Sequence, residues 1–230
     1  MTQSNRYINN FKAINREMIY SLDEAIKIVK SSSPVKFDET IDLSVNLGVD
    51  PRHADQIVRG TVSMPNGTGK DVTILVLAKG DAVDKATAAG ADFVGSDEFL
   101  EKIKSGWTDV DVIIATPEMM PELGKHGRVL GPRGLMPNPK LGTVTDKIGE
   151  AVKNAKAGQV ELKNDKDGNI GLSIGKKSFS DEKLIKNFNA VISSLEKEKS
   201  NLTIKGDLIK CTYITSTMGV SYKIKLEKSF

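Results

Sequence analysis

Cysteine is almost missing from this 230-residue sequence: Cys211 stands alone, so no internal disulfide can form. That fits a reducing compartment. Cys211 lies in a strand-like run with no histidine or second cysteine near it in sequence, and plain packing accounts for it. Histidine is scarce too, with only His53 and His126, and neither has a partner at metal-ligand spacing. No metal site and no cofactor are expected. Aromatic residues make up 5% of the chain, and its one tryptophan, Trp107, follows a helix-ending Ser105-Gly106, where packing is the default reading. No run approaches the roughly 18 apolar residues of a membrane span. The opening residues MTQSNRYINNFKAINREM also lack the continuous apolar stretch of a secretory signal, so a cytoplasmic protein is expected. Finally, no strong excess of one charge exists: the net charge is +3 and the isoelectric point about 8.8. That alone does not establish a nucleic-acid partner.

What is present is more informative. The hydrophobic fraction of 39% supports one large core or two modest ones. Charge is polarised along the middle of the chain: residues 81–122 carry three Lys/Arg against ten Asp/Glu, and residues 123–156 carry seven against two. The basic block contains residues 127–143, GRVLGPRGLMPNPKLGT, whose density of glycine and proline speaks against helix or strand. The stretch reads as an ordered irregular loop. Either it offers Arg128, Arg133 and Lys140 to an anionic partner, or it is a proline-stiffened connector with solvated charges.

The periodicities change twice along the chain. Ser21-Leu22-Asp23-Glu24 is a capping box opening a helix, which Ser31 to Pro34 should stop. Ile41, Leu43, Val45, Leu47 and Val49 then alternate with polar residues, the pattern of an antiparallel strand with one wet face. From Val72 the runs VTILVL, ADFVG and VDVIIA alternate with helical stretches near residues 84–89 and 96–104, the grammar of a parallel sheet covered on both faces. Thr116-Pro117 starts a short helix, and residues 145–157 read as a helix ended by Gly158. Beyond residue 159 the antiparallel pattern returns with VELK, NIGLSI, a helix over residues 181–199 and two closing strands. The economical topology is an α/β (α+β) protein. Residues 1–66 and 160–230 make a split antiparallel α+β domain, and residues 67–159 an inserted Rossmann-like three-layer α/β domain. Gly67, Gly69 and Gly158 fall at the two crossings and are the expected hinge.

Three segments, taken together, resemble a known family. GRVLGPRGLMPNPKLGTVT is one; KFDETIDLSVNLGVDPRHADQIVRGTVSMPNGTGK from Lys36 to Lys70 is another; FVGSDEFLEKIKSGWTDVDVIIATPEMM from Phe93 to Met120 is the third, and STMG from Ser216 to Gly219 adds to them. In this order they are similar to the bacterial L-one family of large-subunit ribosomal proteins, those of the mobile side stalk. The resemblance implies the same split fold and a non-enzymatic, RNA-binding function. Implied partners are large-subunit ribosomal RNA, the exit-site transfer RNA whose release the protein assists, and its own operon messenger RNA, which it represses. The free protein is expected to be a monomer, with no membrane partner.

The resemblance also points to residues. Lys36, Phe37 and Thr40, with Thr217, Met218 and Gly219, are the implied ribosomal-RNA contacts, and Asp165 and Lys166 in the NDKDGN turn are further carry-overs. Phe37 by sequence alone reads as a core cap, a reading the resemblance reverses, and Asp165 and Lys166 read equally as plain turn chemistry. Arg128, Arg133 and Lys140 are the candidate phosphate contacts of the inserted domain. Cys211 and Val220 depart from the family pattern, standing where a serine and a proline are common, and are held outside the site. The rival reading is an α/β enzyme taking a phosphorylated metabolite or nucleotide through the Gly/Pro-rich loop. Gly67, Gly69 and Lys70 superficially resemble a phosphate loop, but Pro65 replaces its first glycine and Asp71 its hydroxyl residue.

Overall fold

The computed structural model describes residues 5–14, 18–32, 35–200 and 206–226. In chain order the first elements are α1 (Asn5–Ala13), α2 (Leu22–Ser31), β1 (Thr40–Leu47), β2 (Arg59–Ser63), β3 (Ile74–Leu77), α3 (Asp81–Ala88), β4 (Phe93–Gly95), α4 (Asp97–Lys104) and β5 (Val112–Ala115). There follow α5 (Met120–Gly124), α6 (Gly127–Leu130), α7 (Ile148–Lys156), β6 (Gln159–Lys163), β7 (Asn169–Lys176), α8 (Asp181–Lys199), β8 (Ile209–Ser216) and β9 (Tyr222–Ile224). The chain divides into two compact units: Met1–Gly69 with Val160–Phe230, and Lys70–Gln159.

The first unit is built on a four-stranded sheet in the order β7-β1-β8-β9, with β1 antiparallel to both neighbours. Alternation along β1 decides its two faces. Ile41, Leu43, Val45 and Leu47 are buried, whereas Thr40, Asp42, Ser44 and Asn46 lie on the opposite side. Two helices cover the apolar face. Leu184, Phe188, Val191 and Leu195 recur at helical spacing along α8 and are buried with Ala25, Ile26 and Val29 of α2. Each of the larger side chains among them contributes about 1.5–3 kcal/mol by leaving water. The capping box at α2 forms as its sequence requires, with Glu24 N–H donating to Ser21 Oγ and Ser21 N–H to the Glu24 carboxylate. α2 ends at Ser31; part of its expected stop, residues 33 and 34, lies outside the described residues. β2 pairs only with β6, and Arg59 and Glu161 tie them by an ion pair of 3.2 Å.

The second unit has the parallel sheet β4-β3-β5. All four residues of β3 are buried because helices stand on both sides. Leu75 and Leu77 pack with Phe99, Leu100 and Ile103 of α4, while Ile74 and Val76 pack with Ala86 of α3 and Val152 of α7. Gly158, at φ 95°, follows the C-cap of α7 and stops it, as its position in sequence predicts.

Residues 127–143 are not wholly irregular, contrary to their composition. Gly127–Leu130 forms a helical turn and Pro139–Leu141 a 3-10 turn. Burial overrides propensity here: Leu130 and Leu141 are buried, and Leu135 and Met136 pack against the same core as α4. Gly131 is required, since a Cβ there would meet the Gly127 carbonyl oxygen at 2.7 Å. Asn138 and Thr143 close the loop: Asn138 N–H donates to Thr143 Oγ1 at 2.8 Å, and Lys140 N–H to Asn138 Oδ1 at 2.9 Å. The stretch is an ordered cap on its own unit.

Candidate nucleic-acid interface

Two segments far apart in sequence meet at one end of the four-stranded sheet. Thr40 opens β1, and Ser216, which ends β8, lies across from Ile41. Beyond these strands the chains are cross-tied: Thr40 N–H donates to Thr217 Oγ1 and Thr217 N–H to the Thr40 carbonyl, both at 3.1 Å. Met218 N–H donates to Glu39 Oε1 at 2.9 Å. Gly219 N–H closes the turn on the Ser216 carbonyl at 3.0 Å. A Cβ on Gly219 would stand 2.3 Å from Ser216 Oγ, so any larger residue here requires the Ser216 hydroxyl to turn aside.

Phe37 and Met218 project from this junction, 53% and 48% exposed. Phe37 is therefore not a core cap. Lys36 and Thr217 are exposed beside them in sequence. The third strand supplies a cation that sequence reading missed, because only sheet register reveals it. Lys176 pairs with Thr40 across β7 and β1, and its Nζ donates to Thr40 Oγ1 at 2.9 Å. From α1, Arg6 Nη2 donates to the Met218 carbonyl at 3.4 Å. The structure thus brings Thr40, Thr217, Met218 and Gly219 together with Arg6 and Lys176, and Lys36 and Phe37 adjoin this junction in sequence.

Asp165 and Lys166 are elsewhere. Their turn joins β6 to β7, and Asn169 at its end pairs with Asn46, six residues along β1 from Thr40 and about 20 Å away. Asp165 is committed to its turn: Oδ1 accepts from the backbone N–H groups of Asp167 and Asn169. Those bonds, Asn169's foremost, hold its carboxyl below the usual range. Between the two ends runs the wet face of the sheet. Asp42, Ser44 and Asn46 pair on one side with Ser173, Gly171 and Asn169, and on the other with Thr215, Tyr213 and Cys211. Burial raises the Asp42 carboxyl above its ordinary range, and Lys176 draws it partly back.

Cys211 packs on the sheet, but not in the apolar core. It is half-buried on that polar face and faces Asn46 across the strands. Its thiol raises the Tyr213 hydroxyl's pKa. The signal was available: Thr212 and Ile214 alternate with Cys211 and Tyr213, and the buried members fix which face is wet. Val220, which follows the turn, is buried.

In the second unit Arg128, Arg133 and Lys140 are exposed, and their cationic groups have no ion-pair partner among the described residues. Lys70 is not poised for a phosphate; it pairs with Asp111, whose carboxyl that bond lowers. Trp107 packs edge-on against Phe93, as the default reading had it. His53 is exposed and 3.9 Å from Asp50. Among the described residues no cluster of His, Cys, Asp and Glu could hold a metal ion, and no helix is long and apolar enough to cross a membrane.

Fold and surface define a two-unit α/β protein whose antiparallel platform joins both parts of a split sequence into one polar, glycine-turned edge. Residues 29–220 match the ribosomal protein L1p/L10e family. The chain is 54% identical over 208 residues to the large ribosomal subunit protein uL1 of Pelagibacter ubique, covering 90% of this chain and 91% of that one. It is 50% identical over 226 residues to the protein of the same name from Kosmotoga olearia, covering 98% and 97%. A third, from Protochlamydia amoebophila, is 51% identical over 218 residues, covering 95% and 92%. The chain belongs to the ribosomal protein L1p/L10e family.

Proposed function

We propose that this chain is a structural constituent of the large ribosomal subunit, non-enzymatic and cytoplasmic with the ribosome, and that its first unit grips large-subunit ribosomal RNA. The relatives' shared name supports the first half. One observation carries the second: Phe37 and Met218 stand exposed on a junction already cross-tied by Thr40, Thr217 and Glu39. An aromatic face, an adaptable thioether, a hydroxyl and a close glycine backbone are what folded RNA offers stacking and ribose contacts to. Such a surface reads shape. Replacing Phe37 by alanine removes a stacking contact typically worth about 1–3 kcal/mol. Filter binding with large-subunit ribosomal RNA should show affinity about ten-fold lower or worse, with the melting curve unchanged. Unchanged affinity removes Phe37 from the interface. Binding by the intact chain should also weaken steeply with salt, through counterion release.

The finer roles rest on the family resemblance. The protein occupies the mobile side stalk, the second unit pivots at Gly67, Gly69 and Gly158, and Arg128, Arg133 and Lys140 meet transfer-RNA or ribosomal-RNA phosphates as exit-site transfer RNA leaves. Positive φ at all three glycines supports their use where other residues would be strained. Off the ribosome the chain is a monomer that binds its own operon messenger RNA through the ribosomal-RNA surface. Competition between the two RNAs tests this, and simultaneous binding defeats it. The enzyme reading loses its ground with family membership and the failed phosphate loop.

A further inference from the structure

Met218 has both backbone polar groups engaged by charged side chains from distant segments. Its N–H donates to Glu39 Oε1 at 2.9 Å, and its carbonyl accepts from Arg6 at 3.4 Å. Glu39 is fully buried, and its other oxygen, Oε2, has no hydrogen-bond partner among the described residues. The Glu39 backbone is fixed as well, its carbonyl accepting from Lys177 N–H at 2.8 Å. This carboxylate is odd on two counts. A half-satisfied buried charge costs stability, and an apolar side chain of equal length would avoid that cost. A negative charge under a surface that meets a polyanion also has the wrong sign for attraction. Neither packing nor long-range electrostatics accounts for it. What a carboxylate does supply is a charge-assisted acceptor, stronger than a neutral one, aimed at a single N–H of the turn.

We propose that Glu39 is a positioning residue for RNA recognition: by holding the Met218 amide it sets the 217–219 turn in the shape that presents the Met218 thioether. The inference rests on reading this junction as the RNA interface. It makes stability and affinity move in opposite directions. Glu39→Met keeps length and removes the acceptor, so unit stability holds or rises while the turn loosens. Affinity for deproteinised large-subunit ribosomal RNA should fall about ten-fold. Its slope against salt should stay unchanged, since no phosphate contact is lost. Glu39→Gln keeps an acceptor oxygen and should bind within about three-fold of the parent chain.

The deciding measurement pairs those affinities with amide hydrogen exchange in the free protein. Slow exchange at Met218 in the parent chain, fast exchange in Glu39→Met and weaker RNA binding by that variant support the assignment. A folded Glu39→Met chain that binds as tightly as the parent or more tightly overturns it, because removing a charge alone favours the polyanion. Should Glu39→Met not fold, the parent chain decides: a Met218 amide exchanging at the open-chain rate overturns the proposal, and a protected one supports it. If the parent chain ignores this RNA while Met218 stays protected, the interface reading is what fails, and this inference goes with it.

Discussion

At the scale of single residues, the interface depends on how little room its turn has. Gly219 is not needed for a left-handed backbone; a methyl group there would sit on Ser216 Oγ. Ser216 is itself buried, and its hydroxyl lacks a partner among the described residues. The pair therefore predicts a compensating effect. Gly219→Ala should cost about 1–3 kcal/mol of unit stability through overpacking, and weaken RNA binding with it. Adding Ser216→Ala should restore most of both, since the next nearest Ser216 atom, Cβ, lies 3.5 Å away. Chemical denaturation of the single and double variants checks this, and equal instability of the two would show that the turn's shape is set elsewhere. Thr217-Met-Gly is legible in sequence as a motif. That Met218 answers to Glu39 is not, because no periodicity records a side chain reaching across the end of a sheet.

At the scale of elements, the segment leading out of the first unit is held by one buried side chain. Asn187 of α8 is fully buried; its Nδ2 donates to the Gly67 carbonyl at 2.9 Å and the Ile174 carbonyl at 2.7 Å, and its Oδ1 accepts from Asn66 N–H at 3.1 Å. An α8 sequence of ordinary amphipathic pattern hides this, since an asparagine within the apolar stripe looks like an exception to it. Three backbone groups lose their partner if it is replaced. Asn187→Leu should destabilise the first unit by about 2–3 kcal/mol and raise amide exchange at residues 66 and 67. Unaltered exchange there would mean the segment is anchored by other contacts. The helices and buried strands were far more legible: the capping box of α2, the glycine stop of α7 and the apolar run of β3 each follow from local chemistry. α1 and β2 escaped sequence reading. β2 is five residues long and has β6 as its partner, about a hundred residues onward, so nothing local marks it.

At the scale of the molecule, each unit has its own core. The apolar cluster of the first draws on both of its chain segments, and the two clusters of the second flank one parallel sheet. Units with separate cores fold separately. Excising residues 70–159 and joining Gly69 to Val160 through a short Gly/Ser linker should leave a cooperatively melting first unit. It should bind large-subunit ribosomal RNA within about ten-fold of the whole chain, at a similar salt slope. A folded excision variant without RNA affinity would move the principal contacts to the second unit, to Arg128, Arg133 and Lys140.

Composition, alternation and helix punctuation settled the fold class and the motifs that mark its family, because each is written in residues near one another. Tertiary structure alone decided which of the motif residues share a surface. It parted Asp165 and Lys166 from Phe37, brought Lys176 to Thr40 and Arg6 to Met218, set Cys211 on the wet face, and buried Glu39 beneath Met218. The physical reason is register: strands distant in sequence meet only when their apolar faces are buried together. The neighbours of every polar side chain on the other face are fixed at that moment and not before.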